Sequence, residues 1–282
     1  MKTLEQYIAE KLKISGKGNN TEHKVFPNSK EELISMIEDE IDKNGYTCSL
    51  NHIDVSGIDD MSGLFKESKF NGDISGWDVS NVTNMSEMFD DATSFAGDIS
   101  GWDVSNVEDM SYMFRNTPKF NSDLTDWDVS SVEDMSYMFA ICGFDGDLSK
   151  WDVSKVENMT FMFYGSSFTG ENGDISKWDV SSVENMRNMF AQTNFNTDIS
   201  DWDVSNVKDM CGMFKADVEF NQDISKWDIG SVTDMSAMFK YARSFKQDLS
   251  SWKLSKDTNI IGMYTFSGIE NITKCHAKKK RK

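Results

Sequence analysis

The chain has 282 residues, of which 47 are acidic and 29 basic, for a formal net charge of −18. Residues 53–251 carry 36 acidic and 14 basic groups; a body so acidic repels phosphate, which excludes nucleic-acid binding through it. No apolar run approaches the ~18 residues of a membrane span, and 2 prolines against 8 tryptophans, 18 methionines and 19 phenylalanines describe a folded chain with a large apolar interior.

The N-terminal segment, 1–52, reads as helical. Met1-Lys2-Thr3-Leu4-Glu5-Gln6 lacks the apolar core of a secretory signal, so a cytoplasmic or virion-associated chain is expected rather than a secreted one. Leu4, Tyr7, Ile8 and Leu12 mark a short amphipathic helix, followed by a polar stretch, Ser15–Asn28. Ser29-x-x-Glu32 is a capping box, and Leu33, Ile34, Ile37 and Ile41 form an apolar stripe that stops near Gly45. This second helix is expected to cover the open end of the repeat array that begins at Ile53.

That array rests on a recurring dipeptide. Trp-Asp recurs at Trp77, Trp102, Trp127, Trp151, Trp178, Trp202 and Trp227, and Trp252 comes with Lys253; the steps are 24 to 27 residues. A degenerate first copy starts at Ile53-Asp54-Val55, which makes nine copies, the last partial. Counting from the tryptophan as position one, position nine is Met in eight copies and Ile260 in the last; position twelve is Leu64 and then Met; position thirteen is Phe, closing on Tyr264. Trp-x-Val alternates as a short strand. Val107, Met110, Met113 and Phe114 recur at three- and four-residue spacing, as one short helix with one buried stripe. The expectation is therefore an α/β repeat solenoid, one short strand and one short helix per ~25-residue unit, over eight repeats in 53–251, with a helical N-terminal cap. Residues 252–282 hold a partial capping repeat and a basic tail, Lys278-Lys279-Lys280-Arg281-Lys282, expected to be solvated.

The Ile-x-x-Trp-x-Val frame resembles the leucine-rich-repeat frame, and the unit W-D-V-S-x-V-x-N-M-x-x-M-F is similar to the BspA-like surface-protein repeat also known from mycoplasma lipoproteins, over about residues 53–265. The resemblance implies adhesion or partner binding at a cell surface rather than catalysis. Here the usual Asn or Cys of a leucine-rich repeat is Val or Ile, as at Val82 and Val107.

Two aspartate columns run along the array: Asp54, Asp78, Asp103, Asp128, Asp152, Asp179, Asp203 and Asp228 at position two, and Asp73, Asp98, Asp123, Asp147, Asp174, Asp198, Asp223 and Asp248 before the Ile/Leu. They are expected to cap backbone N–H groups in their own turns rather than bind calcium. The methionine columns read as core. The four cysteines, Cys48, Cys142, Cys211 and Cys275, form no CxxC, and His23, His52 and His276 are isolated from one another, so no disulfide framework, metal site or cofactor is expected.

Uniform columns build a scaffold, and varied ones carry specificity. Position eleven lies between the buried methionines and should face outward; it reads Gly63, Glu87, Tyr112, Tyr137, Phe161, Asn188, Gly212, Ala237 and Gly262. Tyr112, Tyr137 and Phe161 thus form an aromatic strip over three consecutive copies, with Arg115, Tyr164 and the extra residues Gly170-Glu171-Asn172 nearby. These residues are the candidate binding site of a non-enzymatic scaffold that takes a protein or glycan partner. The rival readings are a structural component of a phage or viral particle, with self-assembly, and a carbohydrate hydrolase using paired aspartates.

Overall fold

The structure, a computed structural model, describes residues 24–269; the helix expected over residues 4–12 and the cluster Lys278–Lys282 lie outside them. Helix α1 spans Lys30–Asn44. The Ser29 Oγ accepts the Glu32 N–H at 3.3 Å, and the Glu32 carboxylate accepts the Asn28 N–H at 2.7 Å, so the box closes one residue earlier than Ser29. Gly45, at φ 82°, ends the helix and returns its N–H to the Ile41 carbonyl. Leu33 and Ile37 are buried against the first repeat, and Lys30 Nζ reaches Asp60 Oδ2 at 3.1 Å and Ser62 Oγ at 2.6 Å. The end of the array is covered by this face.

Each copy is a coil of successive β-turns. In the copy that starts at Trp77, residues Trp77, Val79, Val82, Met85, Met88, Phe89, Ala92, Phe95 and Ile99 are all buried. The turns close between them: Val82 N–H donates to Val79 O, Met88 to Met85, Ala92 to Phe89 and Phe95 to Ala92, at 2.9–3.2 Å. A chain of i→i+3 turns brings every third side chain to one side. That spacing, not a helix, produces the stripe Val-Met-Met-Phe.

The expected α/β solenoid of strands and helices, and its leucine-rich-repeat likeness, are accordingly corrected. Among the described residues the repeats contain no α-helix and no strand: α1 precedes them, Ile175–Lys177 is a single 3₁₀ turn, and sheet pairing is reduced to isolated parallel bridges such as Asp60↔Asn84↔Asp109↔Asp134. The reason lies in the backbone. Positions eleven and fifteen have positive φ in all nine copies, and fourteen of those eighteen residues are not glycine. A left-handed residue ends a right-handed helix. The N–H groups that a helix would use internally go instead to the next coil: Met85, Glu87, Phe89 and Asp91 donate to the carbonyls of Asp109, Ser111, Met113 and Arg115 at 2.8–2.9 Å. Each left-handed non-glycine residue costs about 1 kcal/mol or more, and each inter-coil hydrogen bond returns about 0.5–1.5 kcal/mol. A coil in isolation has the cost without the return.

The interior is a set of side-chain ladders. The position-thirteen rings, from Phe65 to Tyr264, lie 5.4–5.9 Å apart and within 11° of parallel. Each tryptophan indole N–H, a donor with no other outlet, bonds a carbonyl of the preceding coil: Trp77 to Leu50, Trp102 to Ile74, and so through Trp252 to Ile224, at 2.9–3.2 Å.

Candidate functional site

The left-handed backbone at position eleven turns that side chain out of the core, between the inward methionines at nine and twelve. Tyr112, Tyr137 and Phe161 have φ of 60°, 58° and 56°. Their rings stack on one another, with centroids 4.4 Å apart for Tyr112–Tyr137 and 4.6 Å for Tyr137–Phe161, both 8° from parallel. All three are half-buried. The ring faces cover each other, and the edges look outward.

Both ends of the strip are closed. The Arg115 guanidinium lies 5.5 Å from the Tyr112 ring centroid. It also grips buried Asp90 in two places, Nε to Oδ1 at 2.6 Å and Nη2 to Oδ2 at 2.9 Å, and reaches Asp91 Oδ2 at 2.9 Å. Its hydrogen bonds to Asp90 hold the guanidinium even more firmly protonated than usual. At the other end Tyr164 meets the Phe161 ring edge-on at 5.3 Å, and its hydroxyl accepts from Gln192 Nε2 at 2.7 Å. Arg115 and Tyr164 therefore hold the strip in place. The extra residues of the longest copy bond elsewhere: Asn172 Nδ2 donates to the Asp145 carbonyl at 2.7 Å, and the Thr169 N–H to the Asp145 carboxylate at 2.8 Å.

The aspartate columns are engaged in their own turns. Asp78 Oδ1 accepts the Ser80 N–H at 3.2 Å and its hydroxyl at 2.7 Å; the same N–H bond from the residue two further on recurs from Asp54 to Asp248. The serine hydroxyl and N–H hold Asp54, Asp78 and Asp203 below the usual carboxylate range, against the weaker upward push of burial.

Two further features lie outside the candidate residues of the sequence analysis. Asp217 stands fully buried at position sixteen, where other copies have Ala92, Thr117, Cys142 or Ala242. Its carboxylate lies 3.0 Å from Thr193 Oγ1 and accepts the Glu219 and Phe220 N–H groups, and burial pushes its pKa up to about 7. Second, Asp209, Cys211 and Asp234 offer ligand atoms within 4.8 Å of one another. Arg187 already occupies that face, with Nε 3.0 Å from Asp209 and Nη2 3.8 Å from Asp234, and Ser236 Oγ donates to Cys211 Sγ at 3.2 Å. The period of 25 residues between Asp209 and Asp234 was the signal for their contact.

A family described as "Mycoplasma protein of unknown function, DUF285" matches three stretches of the chain, residues 33–143, 98–171 and 166–275. The chain belongs to this family, and it is a repeat protein. No curated relative and no solved structure matches it. Among the described residues no helix is long and apolar enough to cross a membrane.

Proposed function

We propose that this chain is a non-enzymatic scaffold of the surface-protein type that binds a protein partner through its side, at the strip Tyr112, Tyr137 and Phe161 held by Arg115 and Tyr164. One observation carries the reading. On a backbone repeated nine times, one outward column changes from small or polar residues to three stacked rings in consecutive copies. Half-buried aromatic clusters of this kind supply large contact area at small entropic cost. A glycan is the weaker fit, because sugars use aromatic faces and these faces are taken by stacking.

The test is photo-crosslinking from a reactive residue at Ser111, in the full chain, against the triple variant Y112G/Y137G/F161G. Glycine is what the chain itself carries at this column in Gly63, Gly212 and Gly262, so the fold is expected to survive. Loss of crosslinked partner with an unchanged melting temperature supports the reading, and equal crosslinking by both proteins ends it.

A further inference from the structure

A second outward column stands four residues before the strip in each copy. Glu108, Glu133 and Glu157 stand at position seven of the same three copies that carry Tyr112, Tyr137 and Phe161. They sit directly on one another: the Glu133 N–H donates to the Glu108 carbonyl at 2.8 Å and the Glu157 N–H to the Glu133 carbonyl at 2.9 Å. All three are exposed, and none forms an ion pair among the described residues; Lys155, two residues before Glu157, forms none with it. Like charges stacked at coil spacing repel.

Several acids of the neighbouring columns are ion-paired. Asp90 and Asp91 are held by Arg115, Glu184 by Lys208 at 2.6 Å, and Asp209 and Asp234 by Arg187. Among the described residues, position seven thus carries three consecutive glutamates without an ion pair in the copies that bear the aromatic residues, while Asp59, also without one, stands singly in the first copy. The spacing favours one kind of polypeptide. Two coil steps span roughly 9.6 Å. Residues i, i+4 and i+7 of an α-helix span roughly 10.5 Å, whereas same-side residues of a strand fall about 6.8 Å apart and run out of step.

We infer that the face formed by Glu108, Glu133 and Glu157 beside the ring edges of Tyr112, Tyr137 and Phe161 receives a basic amphipathic helix of a protein partner, lying along the stack with its lysines or arginines on the glutamates and its apolar stripe on the rings. This rests on the lateral strip being the binding surface.

The probe is a synthetic helical peptide with lysines at i, i+4 and i+7 and leucines on the adjoining stripe, titrated by fluorescence anisotropy against the full chain. Saturable binding that salt weakens is expected. The variants E108Q/E133Q/E157Q and Y112G/Y137G/F161G should each weaken it roughly tenfold while keeping their melting temperatures. The single variant E133Q, at the centre of the row, gives the same readout if a triple variant does not fold. No binding by the unaltered chain, equal binding of a proline-broken peptide of the same composition, or binding unchanged in the glutamine variant would each overturn the inference. If the glycine variant loses its crosslinked partner while the glutamine variant keeps it, the basic helix is wrong and the lateral binding surface stands.

Discussion

The copies beginning at Trp102, Trp127 and Trp151 and those beginning at Trp202, Trp227 and Trp252 share one backbone and one aromatic ladder, though Asp217 is buried in the second set only. Both sets have positive φ at position eleven, from 56° to 60° in the first and 55° to 69° in the second, and both stack their position-thirteen rings 5.7–5.8 Å apart. They differ in what faces out: Tyr112, Tyr137 and Phe161 against Gly212, Ala237 and Gly262. The backbone conformation that a glycine would adopt most easily is kept where an aromatic ring must bear it. Stability and recognition are thus carried by different columns of the same coil.

The largest expected effect tests the shared interior. Phe139→Ala in the first region and Phe239→Ala in the second should each cost about 3–5 kcal/mol in urea unfolding, because each ring is fully buried between two others. A difference of more than about 1.5 kcal/mol between them would break the equivalence of the two scaffolds.

Next in size is the buried carboxylate of the second region. Asp217 has its folded pKa raised to about 7 by burial, above the value near 4 of an unfolded aspartate. The folded state therefore binds the proton more tightly, and stability falls as pH rises from about 4 to about 7, then levels. Asp217→Asn keeps an acceptor for the Glu219 and Phe220 N–H groups and removes the charge, so its melting temperature at pH 8 should exceed the original by roughly 4 °C, with no gain at pH 4. The exposed aspartates act in the opposite sense: the depressed pKa of Asp78 and Asp203 stabilises above about pH 4 and is lost as acid protonates them. A gain at pH 4 equal to that at pH 8 would refute the assignment to ionisation.

A smaller effect comes from moving the aromatic into the second region. At Gly212 a Cβ would lie 2.3 Å from Asn188 Oδ1. Gly212→Tyr alone should cost about 1–3 kcal/mol, and Asn188→Gly in the same chain should recover most of it. Smaller still is the reverse change: Y112G/Y137G/F161G loses ring stacking worth about 0.5–1.5 kcal/mol per pair and relieves left-handed strain of about 1 kcal/mol per residue, so a calorimetric scan should move little. Calcium should move it least, no more than about 1–2 °C, because the aspartates already accept N–H bonds in their turns.

The aromatic strip was legible in the sequence because a strict period carries side chains of one column into contact, and the same period explains Asp209 against Asp234. The commitment of Arg115 to Asp90 and Asp91 was not, since nothing in the spacing of Arg115 distinguishes a free cation from one folded back on its neighbour coil. Nor was the loop after Phe168, whose bonds run to Asp145 rather than to the strip. The sequence does not separate a strand and a helix from the coil that each unit forms, because a three-residue spacing of buried side chains fits a helix and a chain of turns alike.

The sequence by itself determined which side chains go inside, that copies lie on copies, and which column varies, because apolar burial depends on composition at fixed intervals. The backbone form was decided only in the tertiary structure. Whether an N–H group bonds its own chain four residues back or the coil laid beside it depends on what is alongside, and here the next coil offers carbonyls to the N–H groups of positions nine, eleven, thirteen and fifteen. Tyr112, Tyr137, Ile141 and Phe161 are left-handed for that reason, against their own local preference.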